Sequence, residues 1–229
     1  LDGKTSVALG AGSVTTHTGT LAQVKAVVDA GATITTNAAY AATISDANAT
    51  ALDATDLSEV GGDTTGTVTV TNAVAISGAA SEVTAALVTP LTKVTATTAT
   101  VTITDAIADY DALDDILGVA GNVTASGSGS AATIDTALNT NGSSTDVLTL
   151  TLDAESVAAS VLTSLDGKTS VALGAGSVTT HTGSLAEVKA VVDAGARITT
   201  NAAYAATISD ANGTALTATD LSAVGGDTT

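Results

Sequence analysis

Four aspartates fall within one short stretch: Asp109, Asp111, Asp114 and Asp115. Hard oxygen ligands at that density are what Ca²⁺ takes. The stretch lacks the glycine and final glutamate of an EF-hand loop, and the glycine-rich nonapeptide calcium repeat is also absent. On a helix the four carboxylates do not converge on one point, so a solvated acidic face is the simpler reading. The chain's histidines, His17 and His181, are the same position in two copies of one segment. Each stands between threonines on an expected strand and is expected on the surface. Neither has the nucleophile and orienting carboxylate that a catalytic histidine needs nearby. Asp53, Asp56 and Asp63 form a second acidic run, but Thr217 replaces Asp53 in the other copy. Gly10–Gly12 and Gly127–Gly129 lack the spacing and the lysine of a phosphate-binding loop and read as turns. With no cysteine, thiol chemistry and a disulfide framework are excluded. No catalytic residues and no cofactor are expected, and the chain does not read as an enzyme.

The remaining candidate surface is made of hydroxyls. Thr67, Thr69 and Thr71 alternate along one expected strand, Thr100, Thr102 and Thr104 along another, and Thr149 and Thr151 along a third. On stacked strands such rows lie ~4.8 Å apart and form a lattice of the kind that binds ice. Threonine is also simply a good residue for an exposed strand.

The elements that position these groups follow one template, clearest at Thr100–Gly121. Thr, Val, Thr, Ile, Thr puts Val101 and Ile103 on one face of a strand. Asp105 is expected to cap a helix whose inner face is Ile107, Tyr110, Leu113 and Leu117, with Gly118 and Gly121 as its stop. Similar strands are expected at 13–18, 32–36, 42–45, 67–71, 74–77 and 147–152, with a lead-in at 93–99. Helix faces are expected at Leu21, Val24, Val27 and Val28; at Leu52, Leu57 and Val60, stopped by Gly61 and Gly62; at Val83, Ala86 and Leu87, ended by Pro90; and at Val157, Val161 and Leu162. The segment 123–129, rich in Gly and Ser, is expected to be a loose edge or bend, with Ile134 and Leu138 marking its helix.

Residues 1–65 recur as 165–229, identical at 59 of 65 positions. The six differences are Thr20/Ser184, Gln23/Glu187, Thr33/Arg197, Ala49/Gly213, Asp53/Thr217 and Glu59/Ala223. Within this long period, Gly19, Asp46, Gly78, Asp105, Gly129, Asp153, Gly183 and Asp210 recur at steps of 27, 32, 27, 24, 24, 30 and 27. Each is expected to end a strand and open a helix. A short strand and a one-sided helix cannot bury themselves, so they need neighbours of the same kind. The expected fold is an α/β solenoid, continuous over 1–229, with coils of about 27 residues built as strand, turn, strand, helix. Residues 1–164 are one full repeat and 165–229 the start of the next, which reads as part of a longer tandem array. The alternative is a β-solenoid.

Composition agrees with thin stacked layers. The chain has no Cys, Met, Trp or Phe and one Pro, and 45% of its 229 residues are apolar, mostly small or β-branched. A formal charge of −17 with six Lys and Arg disfavours nucleic acid and gives no basic anchor for anionic lipid. No apolar run is long enough to span a bilayer, and no signal peptide is evident.

The segments TGTLAQVKAVVDAG, SGAASEVTAALV and TDAIADYDALDDIL resemble the repeats of very large Thr/Ala/Val-rich bacterial cell-surface proteins, such as the giant surface proteins linked to swimming in marine cyanobacteria. The resemblance implies an extracellular, acidic, repetitive structural or adhesive role, with calcium as a candidate ion. The expected function is a segment of an extracellular tandem-repeat protein forming a rod, surface fibre or filament, with copies of itself as partners. The alternative is a binding module for ice, a surface glycan or calcium-dependent adhesion.

Overall fold

The computed structural model describes residues 2–4, 6–92 and 94–228. Leu1, Thr5, Thr229 and the lead-in residue Lys93 lie outside them. The fold is α/β with parallel sheets and, among the described residues, eight α-helices, which removes the all-β alternative. The chain divides into two compact units, Leu1–Asp105 with Asp115–Val123, and Ala106–Asp114 with Thr124–Thr229.

The elements run β1 (Leu9–Ala11), β2 (Thr16–Gly19), α1 (Leu21–Asp29), β3 (Ile34–Thr36), β4 (Ala41–Ile44), β5 (Ala51–Asp53), α2 (Ala54–Asp63), β6 (Val68–Val70), β7 (Ala75–Gly78), α3 (Ala80–Leu87), β8 (Val94–Thr95), β9 (Thr100–Ile107) and α4 (Tyr110–Leu117). They continue with β10 (Asn122–Gly129), α5 (Ala131–Ala137), β11 (Val147–Leu152), β12 (Ser156–Ala158), α6 (Ala159–Asp166), β13 (Leu173–Ala175), β14 (Thr180–Gly183), α7 (Leu185–Ala194), β15 (Ile198–Thr200), β16 (Ala205–Ile208) and α8 (Ala218–Asp227).

In the first unit β1 pairs with β3, the strands β2, β4, β6 and β8 form one sheet, and β5, β7 and β9 run side by side. In the second, β11 lies between β10 and β13, β15 follows β13, and β12, β14 and β16 form another sheet. Each of these pairings is parallel. The paired positions keep a nearly constant separation in sequence: Thr124 with Val147, Ala51 with Ala75, Leu9 with Ile34, Ala42 with Val68. A parallel return needs a crossover, and in most steps a helix supplies it.

Alternation sets which side chains face inward. Val68, Val70, Val101, Ile103, Leu148, Leu150 and Leu152 are buried, and the threonines between them are exposed. The helices add Leu57, Val60, Val83, Leu113, Ile134, Leu162 and Val188 to the core. Gly19, Gly78, Gly129 and Gly183 end strands as expected, and each is followed by one N-cap residue and a helix.

Several expectations change. The template strand does not break at Asp105 but runs to Ile107, and its helix starts at Tyr110. Asp46 opens no helix: Leu52 lies on β5, and α2 begins at Ala54. Gly61 and Gly62 do not stop α2, which runs through them to Asp63. Gly61 instead permits close packing, since a Cβ there would stand 2.2 Å from the Thr92 carbonyl oxygen. The expected loose edge at 123–129 is the strand β10. Its small residues make room for an aromatic ring: a Cβ at Gly127 would stand 2.3 Å from the Tyr110 hydroxyl. Val157 belongs to β12 rather than to a helix face.

Candidate functional site

Asp46 and Asp210 follow β4 and β16, Asp105 lies within β9, and each carboxylate reaches back to the helix before it. Asp46 accepts the Leu21 N–H at 2.7 Å, Asp105 the Ala80 N–H at 2.7 Å, and Asp210 the Leu185 N–H at 2.7 Å. The donors are thus the first residues of α1, α3 and α7, where amide groups have no partner inside the helix. At α5 the same role falls to Glu155, which accepts the Ala131 N–H at 2.6 Å, and Asp153 stays exposed. The acids expected to open their own helices cap the preceding ones. A carboxylate also suits the positive end of the helix dipole.

A second constellation was not anticipated as one. The ring of Tyr40 lies edge-on to His17 with centroids 4.4 Å apart, and its hydroxyl donates to Asp63 at 3.0 Å. In the other copy Tyr204 stacks on His181 at 4.0 Å and donates to Asp227 at 3.1 Å. His17 is half-buried and His181 is fully buried, so the expected surface histidines face inward. Neither ring nitrogen of His181 has a hydrogen-bond partner among the described residues. Burial pushes the His181 pKa down, with the Asp227 charge acting in the opposite direction. Burial and the Asp227 carboxylate push the Tyr204 phenol up to about 12, and burial and Asp63 do the same more strongly to Tyr40. Near neutral pH this leaves a neutral His181 imidazole beside a protonated Tyr204 phenol, both buried. The arrangement packs the two rings against each other in each copy.

The four aspartates of the candidate calcium cluster take separate places. Asp109 Oδ1 accepts the N–H groups of Asp111 and Ala112, both at 3.1 Å, and so caps α4. Asp114 is buried, and its carboxylate accepts the Asn141 backbone and side-chain N–H groups, both at 2.9 Å. Asp111 and Asp115 are exposed. Asp53 caps α2 by accepting the Thr55 N–H at 2.8 Å. Among the described residues no group of three or more His, Asp or Glu is placed to hold one metal ion, and no helix is long and apolar enough to cross a membrane.

All eight threonines of the expected rows are exposed. The registers give a ladder that strand-by-strand reading did not reveal. Thr18 pairs with Thr43, Thr43 with Thr69, and Thr69 with Thr95, on the successive strands β2, β4, β6 and β8. Thr102 stands beside Ser77, Thr149 beside Ser126, and Thr151 beside Ser128. The chemistry on offer is a regular outward face of hydroxyls and methyls above an apolar core. No family model, curated protein or solved structure matches the chain.

Proposed function

We propose that the chain is a structural or adhesive segment of an extracellular tandem-repeat protein, a stiff spacer or fibre built as an α/β solenoid. The observation that carries this reading is the strand register. Within each unit, strand after strand pairs in parallel with a later one at a nearly constant step along the chain. A chain folded that way stabilises each coil only through its neighbours, and its stability grows with copy number. The acidic caps that cross from one strand to the previous helix add polar links of the same kind. A high negative charge and an absence of cysteine suit a surface location and do not define it. The proposal extends to copies of the chain as its partners.

The test is the axial repeat of aligned tandem material, by diffraction or electron microscopy. Coils ~4.8 Å apart, six to the long period, give an axial repeat of ~29 Å for each long period. A much longer repeat would mean separate globular bodies on a string and would end the reading. Chains carrying two and three long periods should also unfold at progressively higher denaturant concentrations.

The Thr18–Thr43–Thr69–Thr95 ladder favours a second reading, ice binding, because its hydroxyls repeat at strand spacing on one face. Thermal hysteresis that disappears in a Thr43→Lys, Thr69→Lys variant would support it, and an absence of hysteresis in the parent chain would reject it.

A further inference from the structure

Residues 6–29 recur at 170–193 with two differences, Thr20/Ser184 and Gln23/Glu187. The second copy displays what one face of this segment is shaped to meet. There β13, β14 and α7 pack against β11, β12 and α6. Val157 pairs with His181 and Thr151 with Gly174. The Thr179 N–H donates to the Glu155 carbonyl at 2.9 Å, and the Ser170 N–H to the Asp146 carbonyl at 2.7 Å. Beneath this cover Leu173, Ala175, Val178 and His181 are each 0% exposed.

The same side chains in the first copy are less covered. Leu9, Ala11 and His17 are half-buried, and Val14 is 39% exposed where Val178 is 0%. A Cβ at Gly10 would meet open space, whereas at Gly174 it would stand 2.9 Å from the Leu150 carbonyl oxygen. Val27 on α1 is half-buried and its counterpart Val191 is buried. Local sequence does not account for the difference, because these residues are identical in the two copies. The neighbouring coil does.

We propose that the face formed by β1, β2 and α1 is a docking surface, and that its occupant is a further copy of the coil built by Asp146–Ser164. The surface offers that coil the Ser6 and Thr15 amides, at the positions of Ser170 and Thr179, and an apolar seat at Leu9, Val14 and His17. Docking therefore rests on strand pairing and apolar contact. The proposal rests on the stacked-coil reading above and adds the surface and its partner.

The test uses the histidines as reporters, through their reaction with diethylpyrocarbonate and the pH titration of their C2–H proton signals. In the chain as it stands, His181 should react at least tenfold more slowly than His17. Placing residues 123–164 a second time directly before Leu1 recreates the 164–165 junction there and should slow His17 to the rate of His181. Independently of whether that added segment folds, Val157→Asp in the original chain should raise the reactivity of His181 to that of His17. If His17 stays reactive in the lengthened chain while its added strand amides are protected from exchange, the docking proposal fails and the stacking of the second copy stands. If Val157→Asp leaves His181 protected, the docking chemistry is wrong. If His17 and His181 react equally fast in the unaltered chain, the stacked-coil reading fails and the docking surface with it.

Discussion

Replacing Asp46 by alanine tests the link between one coil and the helix of the previous one. The Asp46 carboxylate is buried, 8% exposed, and accepts the Leu21 N–H at 2.7 Å; Leu21 is itself 4% exposed. Water therefore cannot replace the lost acceptor without local opening. Loss of an N-terminal cap costs about 0.5–2 kcal/mol, and a hydrogen bond to a charged group contributes about 1.5–3 kcal/mol. These describe the same contact and do not add, so the expected cost is about 2 kcal/mol. Asp46→Asn keeps an oxygen acceptor but loses the charge at the helix N-terminus, and should cost about 1 kcal/mol. The Asp46 carbonyl accepts the Asn72 side-chain N–H at 2.6 Å, a contact neither substitution removes.

Amide hydrogen exchange is the right assay, because it reads local opening where global unfolding of two units need not be two-state. At about 1.4 kcal/mol per decade, exchange of the Leu21 amide should accelerate roughly 30-fold in Asp46→Ala. Asp153 is the control: it occupies the matching sequence step and is exposed, with Glu155 doing the capping. Asp153→Ala should leave the Ala131 amide unchanged, and Glu155→Ala should accelerate it. Unchanged Leu21 exchange in Asp46→Ala, or equal effects of Asp153→Ala and Glu155→Ala on Ala131, would refute the reasoning.

Three further outcomes follow from single sites. Ala49 holds φ at +61°, where its copy has Gly213 at +86°, so Ala49→Gly should relieve strain and stabilise by about 0.5–1 kcal/mol in denaturant titration, net of the entropy cost of glycine. Gly61→Ala places a Cβ 2.2 Å from the Thr92 carbonyl oxygen and should cost about 1–3 kcal/mol by the same titration, whereas Gly62→Ala, with open space around it, should cost nothing for steric reasons. His181 is buried in its neutral form with a pKa below the ordinary histidine value, so the unfolded chain binds a proton that the folded chain refuses. That contribution to stability is complete above pH ~6.5 and is lost as the pH falls below it; the melting temperature should drop between pH 7 and 5, and His181→Leu should flatten that part of the profile.

Period was legible in the sequence wherever one side chain alternates with another. Val68, Val70, Val101 and Ile103 are buried, and the threonines between them are exposed, because a half-buried strand leaves no other solution. The glycines before helices were legible as well. His17 and His181 follow the strand period rather than their polarity. A residue between two outward threonines points to the opposite face, and here it packs on a tyrosine. The acidic caps are not legible for a different reason. An aspartate after a strand looks like a local N-cap, while the donor it satisfies, as with Asp46 and Leu21, is 25 residues earlier in sequence. Nothing local distinguishes the two. The strand β10 is hidden because its glycines and serines carry no apolar signal of their own; Gly127 instead makes room for the ring of Tyr110.

The six differences between the copies separate what the fold holds fixed from what it leaves free. Thr20 and Ser184 both accept the N–H three residues on, and Gln23 and Glu187 both return the bond. Asp53 and Thr217 both cap their helices. Ala49 and Gly213 share a left-handed backbone. Two differences touch contacts between coils. Glu59 reaches Lys25 at 2.6 Å, and Arg197 reaches Asp166 at 3.0 Å. Glu59 and Arg197 are each close to half exposed, where an ion pair contributes about 0–1 kcal/mol. The groups that hydrogen-bond across coils are unchanged between copies: Asp46 and Asp210, Tyr40 and Tyr204, Asp63 and Asp227, Thr64 and Thr228. Each has its partner one coil away along the chain, so changing one damages a neighbour rather than itself. A chain whose important contacts all lie one coil apart has little room to vary except within a coil or at its solvent face. That is the pattern of substitution expected of the stacked architecture proposed above.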